Sequence, residues 1–141
     1  MRALADETAI PIPGSDRGSS PFFSPDDQWL AFEQDGRLKK MPAGGGAAID
    51  YGDALVHQGG SFAPDGTLMF NAQLGSGLSR VRPGSTTPEV LTTSDRTAGE
   101  AGHHWPDVLP DGKQFVLIQD FARPRASVTL VQNWFQELKK N

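Results

Sequence analysis

The sequence contains no cysteine. That excludes disulfides, thiolate nucleophiles and any zinc site built with cysteine, and it leaves the compartment open. No apolar run approaches the roughly 20 residues that cross a bilayer. Arg2 is followed by none of the apolar stretch that makes an export signal, so the chain as given reads as soluble, without membrane insertion. A basic surface is missing too. Lys and Arg total 13 against 17 Asp and Glu, a net charge of -4, and the pairs Lys39-Lys40 and Lys139-Lys140 are too short to track a nucleic acid. Gly-x-Ser-x-Gly, Gly-x-Gly-x-x-Gly and Gly-Lys-Ser/Thr are all absent. Gly44-Gly45-Gly46 lies between predicted strands, with no helix to receive a phosphate. Neither an enzyme nor a cofactor is expected.

What the chain has is turns. Its 16 Gly and 11 Pro fall between short apolar runs rather than in one tract, the pattern of many strands and tight connections. One arrangement occurs three times: a short apolar run, a Pro-Asp turn and an alternating apolar run. The copies are Phe22-Phe23-Ser24-Pro25-Asp26-Asp27-Gln28-Trp29-Leu30-Ala31-Phe32, then Ser61 to Phe70 around Pro64-Asp65-Gly66, then Asp107 to Leu117 around Pro110-Asp111-Gly112. In each, Pro pre-sets φ and Asp26, Asp65 or Asp111 suits an Asx turn, so these acids read as structural.

Two more predicted strands follow each of the first two copies: Leu38–Met41 and Ala48–Tyr51, then Leu78–Arg82 and Glu89–Thr92. The third copy is followed by one, Ser127–Gln132. The turn prolines are 39 residues apart (Pro25 to Pro64) and then 46 apart (Pro64 to Pro110). A four-stranded repeat of roughly 40–45 residues is a β-propeller blade. The fold class is therefore all-β, with three antiparallel blades at about residues 20–52, 59–92 and 104–132. Thr93–His104 reads as a polar connection. The tail 133–141 carries a possible cap at Asn133, with Trp134 and Leu138 four apart.

Propellers close with about four to eight blades, and three would leave open faces and edges. The third blade lacks a fourth strand, while Ala9-Ile10-Pro11-Ile12-Pro13 reads as an orphan edge strand. The expectation is a homodimer that closes a six-bladed ring, the strand 9–13 completing the third blade.

His103-His104-Trp105, with Asp95, Glu100 and Asp107 nearby, is the most reactive-looking cluster. Adjacent histidines on a strand point to opposite faces, so a metal site is not expected there. A hydrogen-bonded His and a Trp105 packed between blades are. The loops on one face of a propeller (here His57–Gly60, Asp95–His104 and the turns at Asp35 and Ser76) form its natural ligand surface. This makes Arg96, Glu100, His103 and His104 the candidate ligand-binding residues for a protein or peptide. The competing reading is a glycosidase- or lactonase-type enzyme with an acid/His site at the channel mouth.

The Pro-Asp-Gly turns, each followed by an apolar strand, resemble the TolB-like β-propeller repeat, with Asp27 in place of Gly in the first copy. A closer resemblance runs through Ser20-Pro21-Phe22-Phe23-Ser24-Pro25-Asp26, Gly36-Arg37-Leu38-Lys39-Lys40, His104-Trp105-Pro106 and Gln132-Asn133-Trp134-Phe135-Gln136-Glu137-Leu138-Lys139. These look like the propeller portions attached to some bacterial serine/threonine kinases. That resemblance implies a sensory or scaffold module in an extracytoplasmic setting, without kinase motifs.

Overall fold

The computed structural model describes residues 9–54, 58–122 and 127–132. Within these, three antiparallel sheets follow one another along the chain. The first holds β1 (Ser19–Phe23), β2 (Trp29–Gln34), β3 (Arg37–Pro42) and β4 (Ile49–Asp53), in that spatial order. The second holds β5 (Gly60–Phe62), β6 (Leu68–Asn71), β7 (Leu78–Val81) and β8 (Glu89–Val90), again in chain order. The third holds β9 (Glu100–Val108), β10 (Gln114–Phe121) and β11 (Ser127–Gln132). Strands β1, β5 and β9 lie against one another along the inner edge, so the sheets fan out as propeller blades do.

The turns follow from residue chemistry. Asp26, Asp65 and Asp111 each accept, through Oδ1, the backbone N–H two residues on, at 3.1, 2.9 and 2.9 Å. The next residue is left-handed in every copy: Gly66 at φ +85° and Gly112 at +69°, with Asp27 at +57° where the glycine is missing. Asp is among the few side chains that tolerate that region. Asp35-Gly36, both at positive φ, close the two-residue β2–β3 hairpin, whose primed turn matches the strand twist.

Alternation assigns the faces. Ala31 and Leu38 of the first blade and Leu68, Phe70 and Val81 of the second form one core cluster, joined by Phe62, Tyr51 and Ala54. Met69 and Leu78, on the other face of the second blade, pack with Ala63, Phe115 and Leu117. The middle blade is thus buried on both sides, and all four residues of β6 are buried.

Two stretches of the single chain differ from the sequence expectation. Ala9–Pro13 forms no strand and does not lie on β11. In the single chain it folds back on the first blade, where Ile12 packs over Leu30, Phe32 and Met41. Apolar side chains with no neighbouring sheet are covered by the nearest free segment. The third blade also starts earlier than expected, since β9 includes Glu100–His104. Its polar and glycine residues hid a strand whose partners are backbone and hydrogen-bonding groups. The tail 133–141 and His57 lie outside the described residues.

The far side of the third blade is different. Val116 pairs across with Leu130 and Ile118 with Val128, which puts the four on one face. Val128 is 75% exposed and Leu130 47%.

Close packing makes one position decisive. A Cβ on Gly77 would lie 1.8 Å from the carbonyl oxygen of Thr92, whereas one on Gly44 would meet nothing within 4 Å. Gly77→Ala should cost about 3 kcal/mol or more in urea denaturation, because backbone must move. Gly44→Ala should stay within about 0.5 kcal/mol of the parent. Equal midpoints for the two variants would contradict the packing described.

Candidate functional site

The inner strands share a backbone irregularity. Five residues before each turn proline stands a residue at positive φ: Ser20 (+50°), Gly59 (+89°) and Trp105 (+52°). In β1 and β9 this residue precedes a proline and coincides with a register shift. Three residues of β2 (Ala31 to Glu33) face four of β1 (Phe22 to Ser19), and three of β10 (Val116 to Ile118) face four of β9 (Asp107 to His104). These are β-bulges, which redirect side chains and leave ladder groups unpaired. A left-handed tryptophan is a costly conformation that only surrounding packing can hold.

All three kinks line one solvent-open cleft of about 420 Å³ on the inner edge of the fan. Its walls are Ser20-Pro21-Phe22 from β1 and Trp105-Pro106-Asp107 from β9. The floor is Gly59-Gly60. The glycines are needed there. A Cβ on Gly59 would sit 2.7 Å from Trp105 Cα and 2.8 Å from its indole, and one on Gly60 would sit 2.4 Å from the Phe22 ring. Trp105 is not enclosed between blades, as its sequence context suggested: the bulge turns it outward over Gly59, 55% exposed.

The four residues singled out in the sequence lie close together in the chain, and each is held by its own hydrogen bonds. Asp95 caps the short 3-10 turn Arg96–Ala98, accepting from Thr97 N at 2.8 Å and Ala98 N at 3.1 Å. These bonds, with the Thr97 hydroxyl, hold its carboxyl below the usual range. Exposed Arg96 donates through Nη2 to the Gly75 carbonyl at 2.6 Å. Glu100 spends both oxygens internally, accepting from Gln119 Nε2 on one and from Asp95 N on the other.

His103 is buried. Its Nε2 lies 3.2 Å from Glu100 Oε2, and its Nδ1 lies 2.8 Å from Thr92 Oγ1. A carboxylate only accepts, so in the neutral ring Nε2 carries the proton and Nδ1 accepts from the Thr92 hydroxyl. Thr92 Oγ1 in turn accepts from Leu78 N at 2.8 Å. His103 N donates to Ser76 O at 3.0 Å, and Asn71 Nδ2 donates to His103 O at 2.9 Å. Hydroxyl, imidazole and carboxylate follow one another as in a nucleophilic triad. Here the hydroxyl and the imidazole tie β9 to the second blade, while the carboxylate holds the ring, Gln119 and Asp95 N. His104 is paired elsewhere, Nε2 to Asp120 Oδ2 at 3.1 Å. Among the described residues no three His, Asp or Glu converge as metal ligands would.

A second groove of about 420 Å³ opens at the Pro-Asp turns between the first two blades. Lys40 lies along it, Nζ 4.3 Å from the centre of the Trp29 ring. Burial lowers the pKa of this amine, and Asp26 opposes the shift.

The cleft residues Trp105 and Asp107 stood in the sequence beside the histidines, yet nothing in a Trp-Pro dipeptide announces a left-handed backbone. The usable signal was positional: Ser20, Gly59 and Trp105 hold the same place relative to the turn prolines.

No protein-family model matches the chain, and no curated protein is similar to it in sequence. Solved structures do resemble it. TolB from Acinetobacter baumannii superposes with a TM-score of 0.61 at 16% identity, over 82% of this chain and 30% of that one. The “putative TolB” from Agrobacterium tumefaciens gives 0.57 at 20% identity, over 78% of this chain and 40% of that one. The chain spans well under half the length of either, and the likeness shows the fold: blades of a TolB-like β-propeller. No described helix is long and apolar enough to cross a membrane.

The carboxyl of Asp95, with its pKa held down in the fold, contributes stability that is present above the ordinary carboxylate pKa of 3.8. That contribution is lost as pH falls through the depressed folded value. Asp95→Asn should therefore show a shallower fall in Tm between pH 5 and pH 2.5 than the parent. Parallel Tm–pH curves would rule the linkage out.

Proposed function

We propose that the chain is a non-catalytic propeller module that binds a protein or peptide partner across its inner-edge cleft. The observation that carries this reading is the cleft itself. Three equivalent backbone kinks converge on it, and it presents apolar rings and prolines beside irregular backbone, a surface suited to an extended polypeptide. The acid/His cluster offers less to a reaction, because Glu100 and His103 have their polar atoms engaged inside the fold. In this reading the module serves in an extracytoplasmic sensory or scaffold setting, which the sequence resemblance to kinase-attached propellers supports.

Selection from a displayed random-peptide library tests the reading. Enriched peptides should bind the parent and lose at least about tenfold in affinity to Trp105→Ala, about 1.4 kcal/mol. Absence of any enrichment, or binding indifferent to Trp105, would overturn it.

We further propose that two copies close a six-bladed ring. The support is physical: Val116, Ile118, Val128 and Leu130 leave one apolar face uncovered, and β11 has no fourth-strand neighbour among the described residues. In this assembly residues 9–13 leave their own first blade and add to β11 of the second copy. Light scattering should give about 30 kDa, twice the 15.2 kDa of the chain. A single species of 15 kDa at 0.1 mM would refute ring closure.

A further inference from the structure

The chemistry of the cleft is one-sided, and the side it takes identifies what it can hold. Two of its three kinks are followed by proline, at Pro21 and Pro106. Proline has no N–H, so those wall positions offer carbonyl oxygens and no donor. The walls carry two aromatic rings, Phe22 and Trp105, whose π-systems attract cations, and indole is the strongest such partner. The one ionisable group of the lining is Asp107. It is exposed, its hydrogen-bonding neighbour is Ser61 Oγ at 3.5 Å, and among the described residues no base pairs with it. Acceptors, π-faces and an unneutralised carboxylate all attract the same ligand, and the net charge of -4 adds to the attraction.

We propose that the cleft is a subsite for a basic side chain, arginine or lysine, of the partner polypeptide. The cation lies over the Trp105 indole and pairs with Asp107, while its aliphatic stem packs along Phe22. Arginine suits the site better than lysine, because a planar guanidinium can stack on indole and still donate edgewise to a carboxylate and to carbonyls. The glycines of the floor acquire a reason here. Gly59 and Gly60 let both rings pack close against the backbone, which positions the rings before any ligand arrives. Little ordering of the protein is then required on binding.

This inference rests on the peptide-binding reading, and its test separates the two. The probe is N-acetyl-arginine amide, with N-acetyl-citrulline amide as its neutral isostere. Both are titrated into the full chain while the Trp105 indole N–H is followed by NMR, assigned from Trp105→Phe. Arginine should shift that signal saturably, and citrulline should bind at least fivefold more weakly. Asp107→Asn should weaken arginine by a similar factor, whereas Asp111→Asn, in a turn away from the cleft lining, should not. Equal shifts from arginine and citrulline would overturn the charge recognition, and so would no shift from either. In both cases library-selected peptides that bind through Trp105 but lack a basic residue would leave the broader reading intact. Since Asp107 is exposed, Asp107→Asn folds. Should Trp105→Phe not fold, the indole is assigned by elimination from Trp29→Phe and Trp134→Phe.

Discussion

A blade has two faces, and water must be kept from both. That constraint shapes most of this molecule. The second blade meets it with neighbours on either side. Leu68, Phe70 and Val81 face one blade, and Met69 and Leu78 face the other. Fully burying a side chain of this size is worth about 1.5–3 kcal/mol. The end blades have one neighbour each and solve the problem differently. The first borrows Ile12 from the segment before it, and the third leaves valine, isoleucine and leucine partly in water.

Polar groups then fix how the packed faces sit. Apolar contact alone would allow neighbouring blades to slide, and the hydrogen bonds around His103 prevent it. They reach Thr92, Ser76 and Asn71 on one blade from a single strand of the next. A buried network of this kind is costly when half satisfied and specific when complete. The residues with the most chemical potential in the sequence are therefore employed in alignment. The functional surface passes to backbone kinks and aromatic rings nearby.

The blades were legible because their signals are local. Pro-Asp turns, the Asp35-Gly36 hairpin and period-two alternation each depend on a few adjacent residues. Strand limits came within two residues for most elements, from Trp29–Gln34 to Ser127–Gln132. Legibility failed where tertiary context decides. Glu100–His104 looks like a loop because its glycine and polar residues answer to partners on another blade. Ala9–Pro13 alternates like a strand, yet its apolar residue found a closer surface to cover. In β9 the bulge at Trp105 reverses the alternation, so His103 and Val108, an odd number of residues apart, both turn toward the second blade. A period-two reading carried through that strand assigns half of it to the wrong face.

The segment that covers the first blade precedes it in the chain, and this gives the fold a direction in time. A ribosome delivers Ile12 before Leu30, Phe32 and Met41, so the first blade emerges with its cover already made. Each later blade is stacked on one that is finished. Blade-to-blade contacts join nearest neighbours, and cooperativity therefore runs along a line with unequal ends. The first blade, with Ile12 over it, is the better-covered end of that line, and the third, with Val128 and Leu130 exposed, is the weaker one.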